Sequence, residues 1–99
     1  RGAKNRAILL RLADIFEKYS SYSIRIEGHA VNVTGTEQEE REELQPLSLA
    51  RAQSVKDAMV ELGISEKRIT VVGLGGTEPI VPHDDLENRW KNRRVEFVR

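Results

Sequence analysis

The 99 residues contain no cysteine. That excludes disulfide staples, thiolate nucleophiles and cysteine metal ligands, and it leaves the redox state of the compartment unmarked. Charge of one sign is also missing. Sixteen Lys and Arg balance sixteen Asp and Glu, so bulk electrostatics give no pull toward nucleic acid or a membrane surface. No apolar run approaches the roughly 18–20 residues of a spanning helix, and no signal-peptide pattern appears. The serines lack a nearby base in any nucleophile motif, so catalysis is not expected and no cofactor is called for. The two histidines, His29 and His83, lie far apart outside any metal-ligand spacing. There is no internal repeat, linker or low-complexity tail.

What remains is ordinary for a globular chain: 38% hydrophobic and 32% charged residues. The length suits one domain over residues 1–99, with a real core and little spare stability. The chain starts at Arg1, directly in a helical pattern, and reads as the C-terminal part of a longer protein.

Along residues 3–19, Ile8, Leu12, Ile15, Phe16 and Tyr19 recur on one face of a 3.6-residue period, opposite Lys4, Arg11, Glu17 and Lys18. Ser20 and Ser21 break the pattern. Tyr22, Ile24 and Ile26 alternate with Ser23, Arg25 and Glu27, as in a half-buried strand that Gly28 ends. A long loop from His29 to Gln45 follows. Its acidic run, residues 37–43, is able to form a short solvated helix. Pro46 closes the loop, Ser48 reads as an N-cap, and residues 49–62 read as a helix stopped by Gly63. Val55, Ala58 and Leu62 form its apolar stripe, with Ala52 and Met59 beside it. Ile69 to Val72 read as a buried strand. Gly73, Gly75 and Gly76 make a corner. Pro79 and Pro82 follow, then a helical turn capped by Asp84, and a last strand over residues 94–98. The order α-β-α-β-β, with a helix crossing between the first two strands, predicts an α/β (α+β) two-layer sandwich. Helices cover one face of a small mixed β-sheet.

Arg51 is the anomaly of this pattern. With Ser48 as N-cap it falls in the first helical turn, where the helix dipole disfavours a cation by about 0.3–1 kcal/mol. It also continues the inward stripe of Val55, Ala58 and Leu62. Such a guanidinium either grips an external carboxylate through two parallel hydrogen bonds or pairs internally with a glutamate of residues 37–43.

Weaker signals have plainer readings. Gly73-Leu74-Gly75-Gly76 lacks the third glycine of a dinucleotide loop, since position 78 is Glu78, so a tight turn or close backbone approach explains it better. His83-Asp84-Asp85 fits a polar turn better than a metal site. Asn32-Val33-Thr34 is a chance sequon match. Arg89, Lys91, Arg93 and Arg94 form a basic cluster around Trp90, but these arginines can pair with Glu96 or Glu27, and the tryptophan is expected to seal a core edge.

The motifs resemble the OmpA-like C-terminal domain of outer-membrane OmpA proteins, peptidoglycan-associated lipoproteins and flagellar stator proteins. The match runs through Ile26-x-Gly28-His29, Leu47-Ser48-x-x-Arg51-Ala52, Gly63-Ile64, Gly73-x-Gly75, Pro79 and Arg89-x-x-Asn92-Arg93-Arg94-Val95-Glu96. The resemblance implies a periplasmic domain, attached to the outer membrane through the remainder of the protein. It implies non-covalent binding of peptidoglycan by the amino-acid end of diaminopimelate. Arg51 would take the carboxylate there, within a site that includes His29, Ala30, Val31, Leu44, Arg93 and Arg94.

The family's Thr-Asp pair, whose aspartate takes the ammonium, is Ala30-Val31 here, and its assisting asparagine is Leu44. The intervening loop is longer than the family's and rich in glutamate. The implied pocket is therefore degenerate, and its ligand binds weakly or is lost. One of Glu37, Glu39, Glu40, Glu42 and Glu43 either supplies the missing carboxylate or plugs the pocket against Arg51. The resemblance implies no nucleic-acid partner and no membrane insertion by this domain. Its competing reading is an envelope protein-interaction module that kept the fold and lost the wall.

Overall fold

Ile24, Ile26 and Ile69 carry their side chains into a core that two helices cover, and this sets the layering. The computed structural model describes residues 3–18 and 22–98. Its elements are helix α1 (Ala3–Lys18), strand β1 (Ile24–Gly28), a short helix α2 (Glu37–Glu39), helix α3 (Gln45–Glu61), strand β2 (Ile69–Gly73) and strand β3 (Val95–Val98). Among the described residues these strands form a mixed sheet in the order β2-β1-β3. β1 pairs parallel to β2, as a helical crossover requires, and antiparallel to β3. The result is the expected two-layer arrangement of helices on a small mixed sheet.

The inward face of α1 is shifted from the expected one. Leu9 and Ala13 are buried, with Leu12 and Phe16 packed beside them. Ile8 and Ile15 are 53% and 43% exposed. The apolar arc of α1 is wide enough that its period does not select a centre, and packing against α3 and Phe97 selects it instead. The Phe16 and Phe97 rings meet with centroids 5.8 Å apart. Tyr19, Ser20 and Ser21 lie outside the described residues.

The larger correction concerns the second helix. The stretch read as a loop is irregular only up to Thr36. Helical structure then runs from Glu37, through a π-turn at Glu40–Leu44, directly into α3. Thr36 is the N-cap, and its hydroxyl accepts from the Glu39 amide at 3.2 Å. Pro46 therefore sits inside a helical run rather than before one. Its ring crowds the carbonyl four residues back and its nitrogen cannot serve it. The π-turn, in which the Gln45 amide reaches Glu40 O, opens the helix at that point. Ser48 is no cap. It is fully buried, donates to Gln45 O at 3.1 Å and accepts from the Gly75 amide at 2.9 Å.

The centre of the buried face of α3 is Ser48, Ala52 and Met59. Val55, Ala58 and Leu62 flank it, half-buried. The helix stop is as expected. Gly63 adopts φ +103, its amide reaches Val60 O, and the Ile64 amide reaches Met59 O. This pattern closes the last carbonyls of the helix.

The segment between β2 and β3 is pinned by Asn92. Its side chain is fully buried, accepts from the Ile80 and Val81 amides at 2.8 and 3.1 Å, and donates to Val81 O at 2.9 Å. Asp84 caps no helix; Asp85 instead accepts from Asn88. Trp90, expected at a core edge, is 63% exposed.

Candidate functional site

Three arginines meet at one cleft. Arg51 of α3 and Arg93 and Arg94 before β3 line a hollow of about 530 Å³ with Ile8, Leu9, Leu12, Val55, Val95 and Phe97. Its apolar lining comes from α1, α3 and β3, its charged lining is the three arginines, and among the described residues no carboxylate lines it. Arg51 does not occupy a first helical turn, so the dipole argument for its strangeness falls away. A stronger one takes its place. Arg51 is half-buried, and its Nη1 is fully buried with no hydrogen-bond partner among the described residues. Buried N–H donors left unpaired cost about 1–3 kcal/mol, and charged ones cost more.

Arg94 is largely committed within the protein. It pairs through Nε with Glu96, and its Nη2 donates to Glu78 O at 2.9 Å. Arg93 is exposed and has no ion pair among the described residues.

The acidic run does not reach this cleft. Among the described residues no glutamate lies within ion-pair distance of Arg51. Glu40 is turned the other way, onto the glycine corner. Its two carboxylate oxygens accept from the Gly76 amide at 3.0 and 2.9 Å, and Oε1 also accepts from Asn32 Nδ2 at 2.8 Å. Glu39 accepts from the Thr34 hydroxyl at 2.6 Å and the Thr34 amide at 2.8 Å. These Thr34 bonds hold its carboxyl below the ordinary glutamate range. The contribution of Glu39 is thus present above the unfolded glutamate pKa and lost as pH falls through the lowered one.

The extra loop is consequently a folded clasp. Asn32 Oδ1 accepts from the Gly35 amide at 2.7 Å, and its backbone amide donates to His83 Nδ1 at 3.2 Å. His83 Nε2 bonds Gly76 O at 2.8 Å, which closes the ring of contacts. The sequence shows Asn32 only as a sequon match and Glu40 only as one of five loop acids, although the Thr36-x-x-Glu39 capping pattern marks where the helix carrying Glu40 begins. Glu40→Ala is expected to lower stability by about 2–3 kcal/mol in a urea melt, because charge-assisted bonds to a backbone amide are lost. It should leave the Arg51 cleft untouched.

The other expected site residues lie elsewhere. Ala30, Val31 and Leu44 are buried and line no part of the arginine cleft. The Ala30 amide bonds Gly75 O at 2.8 Å, which ties the start of the loop to the glycine corner. His29 is buried on the face of β1 that carries Glu27. The cleft therefore brings together Arg51, Arg93 and Arg94 of the expected set and leaves His29, Ala30, Val31 and Leu44 outside its walls.

Gly28 and Gly73 share one reason. A Cβ on Gly28 would lie 1.9 Å from Ser48 O, and one on Gly73 would lie 2.6 Å from Gln45 O. Strand ends and α3 approach so closely that only glycine fits. That approach sets the height of α3 on the sheet, and so the position of Arg51.

Comparison with known proteins agrees with this fold. The family model described as OmpA family matches residues 2–93. The chain is 40% identical over 91 residues to the peptidoglycan-binding protein ArfA of Mycobacterium tuberculosis, covering 92% of this chain and 26% of that protein. It is 38% identical over 91 residues to outer membrane porin F of Pseudomonas aeruginosa, covering 91% of this chain and 25% of that protein. The chain thus spans about a quarter of the length of these relatives. The crystal structure of the peptidoglycan-associated lipoprotein from Burkholderia pseudomallei superposes with a TM-score of 0.80 at 25% identity, covering 98% of this chain and 78% of that one.

Proposed function

We propose, from the premise that this chain belongs to the OmpA family, that it is a non-catalytic cell-envelope domain that associates with peptidoglycan, with Arg51 taking a carboxylate of the peptide stem. The observation that carries this reading is the buried Nη1 of Arg51, unpaired in an apolar-lined cleft that it shares with Arg93 and Arg94. A fold retains such a donor at a cost, and a planar carboxylate is the group that matches its fork. The relatives named for peptidoglycan support the same partner. In this reading the domain works in the periplasm, attached to the outer membrane through the rest of its protein.

The pocket is an altered one. Among the described residues no acid lines the arginine cleft, and the positions of the family's ammonium-binding aspartate and its asparagine, Val31 and Leu44, are buried apolar residues outside its walls. A diaminopimelate end is thus gripped by its carboxylate alone. Its ammonium, if drawn from water without a partner, costs several kcal/mol. Affinity is therefore weak and carried by charge.

Co-sedimentation with purified sacculi tests this. The domain is expected to pellet with the sacculi at low salt, to be released as salt rises, and to lose retention when the stem carboxylates are amidated. Retention unaffected by amidation would contradict the carboxylate role. No retention at any salt would favour the second reading, an envelope interaction module, which the missing acid supports.

A further inference from the structure

The face of the sheet that carries Glu27 holds a second cluster, distinct from the arginine cleft in its ligand chemistry. Glu27 on β1 stands directly opposite Glu96 on β3 in the antiparallel ladder. Two carboxylates in that relation repel each other. His29 lies two residues beyond Glu27 and so shares its face. The ring of His29 is 2% exposed, and neither of its nitrogens has a hydrogen-bond partner among the described residues. Its Nε2 points between the two acids, 3.6 Å from Glu27 Oε1 and 3.6 Å from Glu96 Oε2.

That spacing is too long for a hydrogen bond to either acid. It is the spacing of donors that share one ion. Nitrogen and oxygen ligands at about 2.0–2.2 Å from a tetrahedral metal lie roughly 3.3–3.5 Å apart. One donor atom from each of Glu27, His29 and Glu96 falls within 4.8 Å of the others. Both carboxylates are already oriented by neighbours. Arg25 holds the other oxygen of Glu27 at 2.7 Å, whereas Arg94 Nε pairs with Glu96 Oε2, the same oxygen that lies 3.6 Å from His29 Nε2, so an ion there must displace this arginine or take Glu96 through Oε1. Such outer contacts are what fix ligating carboxylates. The Glu96 side chain is 45% exposed, which leaves an entry path and room for a water ligand.

We propose that Glu27, His29 and Glu96 form a binding site for a divalent transition-metal ion of the zinc class. One imidazole nitrogen and two carboxylate oxygens, without sulfur, suit Zn²⁺, Co²⁺ or Mn²⁺ rather than a soft ion. Ligation through Nε2 places the ring proton on Nδ1, and the ion shares with Arg25 and Arg94 the neutralisation of the two carboxylates. The ion ties β1 and β3 together.

The test uses the protein stripped with a chelator and titrated with Zn²⁺ by calorimetry and with Co²⁺ by visible absorption near pH 7.5. The expected result is one equivalent bound, a d–d band of low-symmetry Co²⁺, and a rise in melting temperature with Zn²⁺. Glu96→Gln, at the half-open end of the site, should weaken binding at least about tenfold while the domain stays folded. Glu27→Gln should do the same, and His83→Asn should bind as the unaltered protein does. Failure of the folded protein to take up either ion would overturn the proposal. So would Glu96→Gln and Glu27→Gln variants that bind as tightly as the original, since the ion would then sit elsewhere. Sacculus binding enters none of these readouts, so the two readings stand or fall separately.

Discussion

Gly28→Ala is expected to leave little folded protein at room temperature. The added methyl carbon would sit 1.9 Å from Ser48 O and 2.7 Å from Ser48 C, both backbone atoms. No rotamer change relieves such a contact. Gly28 is held in register with Gly73 on one side and Val95 on the other, so the strand cannot retreat. Helix α3 would have to lift off the sheet, exposing Ala52 and Met59, which are fully buried. Overpacking with side-chain relief costs about 1–3 kcal/mol. A rigid backbone clash exceeds that, and a loss above about 4 kcal/mol is a large share of the ~5–15 kcal/mol available to a small domain. Gly63→Ala is the control. Gly63 has φ +103 but open space around it, so the cost there is backbone strain alone, about 1–3 kcal/mol. Equal losses in thermal and urea melts would show that close approach of helix and strand is not the constraint.

Arg51→Ala should separate binding from stability. If Arg51 were a structural residue, its removal would break an internal ion pair and destabilise the fold. None exists among the described residues, and Nη1 is buried without a partner. Truncation removes a desolvated donor and loses some packing of the aliphatic stem. The two effects oppose each other, so stability should change by less than about 1 kcal/mol in either direction. Retention on sacculi should fall at least about tenfold, the usual scale for removing one partner of a charged contact. Arg51→Lys should recover part of it, since the charge returns without the fork. A destabilisation above about 2 kcal/mol with unchanged retention would make Arg51 a scaffold residue.

Much of this architecture is legible in the residues. The alternation through Ile24 and Ile26, the β-branched run at Ile69 to Val72 and the Gly63 stop all fall where the structure has them. The mixed sheet follows from the helical crossover. The start of α3 was hidden because Pro46 and Ser48 imitate a helix start, while a π-turn lets the helix pass through the proline. The Thr36-x-x-Glu39 capping pattern was the better signal. Trp90 misleads for a different reason: a lone tryptophan usually packs, and here its ring lies under the Lys91 ammonium at 5.7 Å on an exposed turn.

The candidate site was legible in part. Arg51 stands out in the structure as well, but through burial without a partner among the described residues rather than through position in a first turn. Arg93 and Arg94 line the same cleft from the segment that leads into β3, with Val95 and Phe97 of that strand. The roles of Glu40 and Asn32 were invisible, since their contacts depend on the fold of the loop and not on spacing. The cluster of Glu27, His29 and Glu96 was invisible for the same kind of reason. Glu27 and Glu96 meet through strand pairing across most of the chain.

The most direct measurement is a titration of isotope-labelled domain with a soluble muropeptide bearing free stem carboxylates, followed by NMR at the arginine side chains. Saturable shifts at Arg51 and Arg93 that vanish with the carboxamide form of the same peptide are the predicted result. Shifts absent from Arg51 at saturating peptide, or identical for the acid and the amide, would contradict a cleft built to hold a carboxylate.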